Sequence, residues 1–511
     1  MSMAVAVSPF PVTEALDPAA RCRFINERLP ERTLYSDAKR ATQPGSRASW
    51  RLSPQPFWLS PQHVAFLEQL GPDLLAFYRA LNTLYFASTR GTQPAWVGDY
   101  FDRGRPDHLV DYSRLNRTRS HLPRVIRPDL FLTEQGLVAT ELDSVPGGIG
   151  FGASLAVPYA ALGHDLVGGP TGMVDGFGAM LASASGQPSP TTGIVVSEES
   201  GDYWDEMVWL AQTLSDRGQP TYAVRPQDVH FTEDALLVPK GGSPGPRDEQ
   251  RTNPEAPLVP VQTLYRFFEL YDVKNIPKWE LLFYATKKQR VMMTPPLKSY
   301  LEEKLSFALL HHPMLAAFWR QELKPERLAR LHAVLPSTWI LDPRRLPPQA
   351  TVPGIELGGR AVQSWDQLVG LSQKERRLVI KPSGFSAKAW GSRGVSIGHD
   401  LPEDEWAMAV REALEAFDAT RYVLQHFQDV KRTTVEWYDF TSGEVRRMAG
   451  RARLTPYYFV VGDQVRLGAV TATVVPIDKK LIHGMVDAVI VPCAVGDRDG
   501  RVAAAAEGWR Q

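Results

Sequence analysis

The sequence predicts an α+β chain built in several layers, and three observations predict it. Amphipathic stretches with helical apolar spacing, such as SPQHVAFLEQLGPDLLAFYRALNTLYFAS, mark the first 120 residues. From residue 193 the strand GIVVSE, the helix DYWDEMVWLAQTLSDRG and the strand TYAVRP have the spacing of a βαβ unit, hence a Rossmann-like α/β layer. From residue 377 strand patterns return in RLVIKP, RYVLQHF and MAGRARLTPYYFV, with the helical EDEWAMAVREALEAF among them.

A chain of 511 residues exceeds what one hydrophobic core organises, about 250–300 residues. The pattern divides it into a helical N-terminal accessory region (1–120), a hairpin-bearing part (121–190), the Rossmann-like layer (191–275), a mixed part (276–495) and a tail (496–511). Within the third part, PKGGSPGPRDEQRTNPEAP (239–257) is nearly free of apolar residues and reads as a solvent loop or disordered insertion. Residues 276–335 read as mainly helical.

Lys plus Arg (57) cancels Asp plus Glu (57), so net charge gives no general attraction to nucleic acid or membrane. Only Cys22 and Cys493 are present, which argues against a disulfide framework or a cysteine-rich zinc site. The first residues lack a signal-peptide pattern, and no run reaches the ~18 apolar residues of a membrane span. The expectation is a soluble, cytoplasmic protein.

Two stretches carry candidate chemistry. In LVIKPSGFSAKAWGSRGVSIG (378–398) a strand ends at Lys381, and Gly384, Gly391, Gly394 and Gly398 would let backbone N–H groups approach an anion such as a nucleotide triphosphate. Neither GxxxxGK[ST] nor GxGxxG is present. The plainer alternative is a hairpin whose glycines serve turns and whose Lys381, Lys388 and Arg393 are solvated. In DLFLTEQGLVATELDSVPGGIGFG, two short strands read as a β-hairpin. Glu141 and Asp143, two apart, share one strand face, and Asp129 can reach it from the paired strand, a donor set suited to Mg²⁺. Here the alternative is an exposed polar strand face.

Together, RPDLFLTEQGLVATELDSVPGG followed much later by Lys381, its glycine-rich loop and YVLQHF resembles the ATP-grasp ligases. Carboxylates preceding the lysine resemble the circularly permuted branch typified by glutathionylspermidine synthetase. The resemblance spans roughly residues 120–495 and implies an ATP-grasp core formed by 121–190 and 276–495. It implies Asp129, Glu141 and Asp143 as Mg²⁺ ligands and Arg127 beside the phosphates. Lys304 and Lys381 would be the phosphate-contacting lysines, with Lys298 competing with Lys304, and residues 384–398 a mobile lid carrying Gly384, Gly391 and Gly394. Gln425 would belong to the hinge that meets adenine, and Arg453, slightly favoured over Arg451, would contact the γ-phosphate or acyl phosphate. Position 143 is Asp where the family commonly has Asn.

The resemblance further implies an ATP- and Mg²⁺-dependent carboxylate–amine ligase working through an acyl phosphate on small-molecule carboxylate and amine substrates. The alternatives are a catalytically silent nucleotide-binding protein and a phosphotransferase on the same scaffold. No GxSxG or HExxH string is present, and the adjacent His311 and His312 cannot share a helix face.

Overall fold

The computed structural model describes residues 16–30, 50–245, 256–347, 349–389, 391, 393–483 and 487–496. Most of the expected loop at 239–257 (246–255) and almost all of the expected tail lie outside them. Among these residues no helix is long and apolar enough to cross a membrane.

A seven-stranded sheet carries the architecture. Its strands run in the order Phe57–Leu59, Val489–Val495, Gln464–Pro476, Glu444–Val461, Val125–Thr133 and Gly136–Asp143, with Arg432–Asp439 paired to the first half of Glu444–Val461. Most pairings are antiparallel; Phe57–Leu59 runs parallel to Val489–Val495. The expected hairpin is therefore real, turning at Glu134 and Gln135, and it forms the edge of a sheet supplied largely by the C-terminal third of the chain.

The expected βαβ unit is also present: Thr192–Val196, helix Trp204–Asp216 and parallel Thr221–Val224. Thr263–Phe267 and Met292–Thr294 complete a four-stranded, all-parallel sheet. Its central strands are buried throughout because both faces are covered. A third sheet, Thr338–Ile340, Tyr422–His426, Leu378–Pro382 and Ser396–Ile397, is antiparallel and carries the glycine-rich segment. Helix Glu403–Glu415 packs behind it through Trp406, Val410 and Ala413.

The long N-terminal helix Pro61–Thr89 starts where the Ser60 hydroxyl accepts the His63 N–H and Pro61 pre-sets the first turn. Leu67, Leu70, Leu74, Phe77, Leu81 and Leu84 share one apolar core with Leu130, Leu454, Tyr458, Val470 and Val474 of the seven-stranded sheet. Each buried leucine contributes about 2 kcal/mol, which makes this helix part of the sheet's foundation. The contact is closest at Gly71, where a Cβ would stand 2.6 Å from the buried Tyr458 ring and 2.8 Å from Val465.

That contact sets two effects against each other. Alanine would gain about 1 kcal/mol in helix propensity over glycine, whereas overpacking a filled core costs about 1–3 kcal/mol. Tyr458 is locked by its O–H donating to the Leu67 carbonyl at 2.6 Å, so the steric cost wins. Gly71→Ala is expected to lower the denaturant midpoint; a higher midpoint would show that the helix has room to shift.

Candidate functional site

The hairpin register decides which side chains meet. Arg127 pairs across with Asp143 and Asp129 with Glu141, so all four project to one face. Arg127 Nη2 donates to Asp143 Oδ2 at 2.9 Å, and Arg127 Nε lies 3.1 Å from Asp129 Oδ1. From the neighbouring strand, Arg453 Nη1 donates to Asp129 Oδ2 at 2.7 Å. Asp129 is thus held between two guanidinium groups, its side chain 2% exposed.

Lys304 stands at the start of helix Leu305–His311, and its ammonium lies 2.9 Å from Glu141. Burial would raise the Glu141 pKa, but Lys304, with Arg127 and Lys381 behind it, pulls the carboxyl down to about 2. Lys381, at the end of strand Leu378–Pro382, donates to Gln425 Oε1 at 3.0 Å and faces the Thr140 carbonyl at 3.4 Å. Burial pushes its pKa down to about 8, against the pull of Glu141. Gln425 in turn donates to Thr338 Oγ1 at 2.9 Å, so its side chain serves Lys381 and the sheet.

These residues border two adjoining hollows. A narrow slot of about 100 Å³ lies between the hairpin and the small sheet, with Phe131, Val379, Ile397, Phe427 and Ile482 among its apolar walls and Lys381 and Gln425 on its border. A wider cleft of about 580 Å³ continues past Arg127 and Asp143 to the ends of the parallel strands. Asp129, Glu141, Lys304 and Arg453 border both.

The two open alternatives among the basic residues separate clearly in position. Lys298 is buried away from the cleft, its ammonium donating to Asn82 Oδ1 and to the Arg119 and His121 carbonyls, each at 2.8 Å. Arg451 donates to the carbonyls of Ile477 and Lys479, just beyond the end of strand Gln464–Pro476. Of each pair, Lys304 and Arg453 are the ones beside the carboxylates.

The glycines are arranged differently from an open anion cradle. A Cβ at Gly384 would meet the Glu302 carbonyl and Glu303 Cγ at 2.9 Å, and one at Gly394 would meet the Lys388 carbonyl at 2.8 Å. Both positions need glycine because the segment packs tightly on its neighbours. Gly391 has φ +61° and needs it for backbone conformation. Gly384 and Gly391 border the wide cleft; Arg393 crosses it to Glu199 at 3.1 Å.

Several charged groups on the cleft border or buried behind it carry no sequence motif. Arg266, at the end of strand Thr263–Phe267, is ion-paired with Glu302. Burial, reinforced by the nearby Glu302 and Asp143, pushes the Glu269 carboxyl up to about 8. Glu206 lies beneath the Gly147–Gly148 turn and accepts the N–H groups of Gly148 at 2.7 Å and Phe151 at 3.0 Å; burial raises it to about 7. Only Arg266 left a trace in the sequence, as a lone cation in the apolar run TLYRFF.

For a divalent ion the donor set is narrower than three carboxylates. Asp129 is committed to ion pairs with Arg127 and Arg453, and among the described residues no three acidic, histidine or cysteine groups stand together as a metal cage. Glu141 and Asp143 remain on the cleft border. Two carboxylates completed by phosphate oxygens and water are a usual magnesium environment, so the residues fit an ion carried in with a phosphate ligand.

The sequence matches no protein-family model and no curated protein. Among solved structures, the chain is similar to a glutathione synthetase-like effector from Globodera pallida in its apo form. That match has a TM-score of 0.54 and 11% identity and covers 94% of this chain and 98% of that one. A second match, provisionally described as a gamma-glutamylcysteine synthetase from Methylobacillus flagellatus KT, has a TM-score of 0.36 and 10% identity and covers 76% and 83%; a likeness of that size carries no weight for the fold. The first speaks for the fold alone, which is glutathione synthetase-like.

Two outcomes follow from the buried charges. Asp129→Asn leaves two guanidinium groups facing an uncharged amide, and breaking a buried pair costs about 3–5 kcal/mol, so urea unfolding is expected to show a loss of that order. Glu206, with a folded pKa of about 7 above the ordinary 4.5 of a glutamate, contributes stability that is complete at low pH and lost as pH rises between those values. Glu206→Gln is expected to flatten the stability–pH curve in that window; an unchanged slope would place the titration elsewhere.

Proposed function

We propose that this protein is an ATP- and Mg²⁺-dependent carboxylate–amine ligase of the circularly permuted ATP-grasp type. The observation that carries the reading is the meeting of Lys304 and Lys381 with the Arg127–Asp129–Glu141–Asp143 face beside a slot with apolar walls. The glutathione synthetase-like fold supports it, as does the order of the chain, with the carboxylate hairpin preceding the lysines.

The apolar slot would take the adenine, and Lys304 and Lys381 the phosphates. When bound, ATP would supply the phosphoryl group that activates a substrate carboxylate, with magnesium offsetting charge between Glu141 and Asp143. The chain's own part is electrostatic and positional. Lys381, with a pKa of about 8 in a partly desolvated site, carries its charge at neutral pH without strong hydration, so an anion meets a cation already stripped of water. Arg453 and Arg127, both anchored on Asp129, are held rigidly for an acyl phosphate's oxygens. The segment from Gly384 to Arg393, tied to Glu199, would keep water from the activated carboxylate.

Removing one well-placed charge from such a transition state costs about 3 kcal/mol, roughly a hundredfold in rate. ADP release measured across a panel of amino acids, polyamines and small peptides should therefore be amine-dependent in the wild type and fall about a hundredfold in both Lys381→Ala and Glu141→Gln. Wild-type turnover in both variants would remove the assignment. A stable phosphorylated product in place of an amide would make it a phosphotransferase.

A further inference from the structure

Directly behind Lys304 lies a buried cluster outside the cleft lining. Arg105, on the loop before helix Asp107–Ser113, is ion-paired with Glu303, and their side chains are 1% and 0% exposed. The second Glu303 oxygen accepts the Ser383 hydroxyl at 2.7 Å. Ser383 Oγ in turn accepts the Leu305 N–H at 2.9 Å, and its carbonyl accepts the Lys304 N–H at 2.8 Å. Its own N–H donates to the Arg421 carbonyl at 2.8 Å. Ser383 thus uses every polar atom it has, at the residue joining the Lys381 strand to the glycine-rich segment. The next two residues are fixed by the same groups: Gly384 packs against Glu303, and the Phe385 ring lies 4.3 Å from the Arg105 guanidinium.

An ion pair with almost no solvent exposure is a poor source of net stability, because desolvation offsets most of the Coulomb attraction. Its geometric effect is large, because both Glu303 oxygens are engaged, one by Arg105 and the other by Ser383, in a place closed to solvent. Lys304 and Lys381 come from sequence-distant segments, and Glu303–Ser383 is a direct side-chain tie between those segments. Arg105 joins the tie from the N-terminal helical region, whose described residues do not border the wide cleft.

We propose that Arg105, Glu303 and Ser383 are positioning residues that set Lys304 against Lys381 and anchor the root of the glycine-rich segment. This rests on the reading of the cleft as a nucleotide site. They touch no ligand themselves. Their loss would misplace two cations that must act on one polyanion, and would free the segment from Gly384 onward.

The test compares wild type, Ser383→Ala and the double variant Arg105→Met/Glu303→Leu, which strands neither partner of the pair and takes from the buried Arg421 the attraction of Glu303 together with the repulsion of Arg105. Three measurements are made on each: thermal unfolding, ATP binding with Mg²⁺ by calorimetry, and limited trypsin cleavage after the exposed Lys388 with and without ATP. Melting temperatures within a few degrees of wild type are expected. Cleavage after Lys388 should be at least about fivefold faster and ATP binding at least about tenfold weaker, on the scale of a lost charge-assisted contact. Unchanged cleavage and unchanged ATP affinity in both variants would overturn the proposal and leave the cluster as packing. Should wild type itself not bind ATP, the nucleotide reading falls, while the cleavage rates without ATP still decide whether these residues anchor the segment.

Discussion

One constraint organises this molecule: opposite charges on a single sheet face must neutralise one another across neighbouring strands. Asp129 is the pivot. Nearly without solvent, its charge is neutralised by Arg127 on its own strand and Arg453 on the next. Those pairings fix the alignment of the hairpin against the long strand Glu444–Val461, and the alignment points Glu141 and Asp143 into the cleft. A one-residue slip would turn every one of these side chains to the apolar face, where Leu130 and Ala139 now sit. The charges therefore specify the register that displays them.

The cleft is a joint product of three sheets. The seven-stranded sheet supplies the acids and Arg453, the small antiparallel sheet supplies the glycine-rich segment and, on the adjoining slot, Lys381, and the parallel sheet supplies Phe267 and Glu269 from the carboxyl end of Thr263–Phe267 and the turn beyond it. Ligand positions at the carboxyl ends of parallel strands follow from chain direction, since loops there splay apart and leave a crevice. The contact from Arg393 to Glu199 links the glycine-rich segment to that crevice.

What the sequence revealed follows the range of each signal. The hairpin, its acids and the lysine-terminated strand were legible because a period of two, a short turn and a strand end are local facts. Lys304 and Lys298 could not be ranked from sequence, since both sit among short helical turns. Only their partners tell them apart: a carboxylate for one, backbone carbonyls and an asparagine for the other. Glu206, Glu269 and Glu302 belong to no motif and gain their character from burial and from neighbours distant in the chain. Reading the first 120 residues as a separate helical region also reflects local patterning; the apolar contacts of Pro61–Thr89 with the sheet, and those of Arg105 with Glu303, are long-range.

The seven-stranded sheet interleaves segments far apart in the chain. Val489–Val495 lies between Phe57–Leu59 and Gln464–Pro476, and the hairpin's other neighbour is Glu444–Val461. During synthesis Phe57–Leu59 waits unpaired for Val489–Val495, and the hairpin, paired only within itself, waits for Glu444–Val461. Their exposed edges in that interval are open to pairing with other nascent chains, so the yield of native protein becomes a contest between completing translation and self-association.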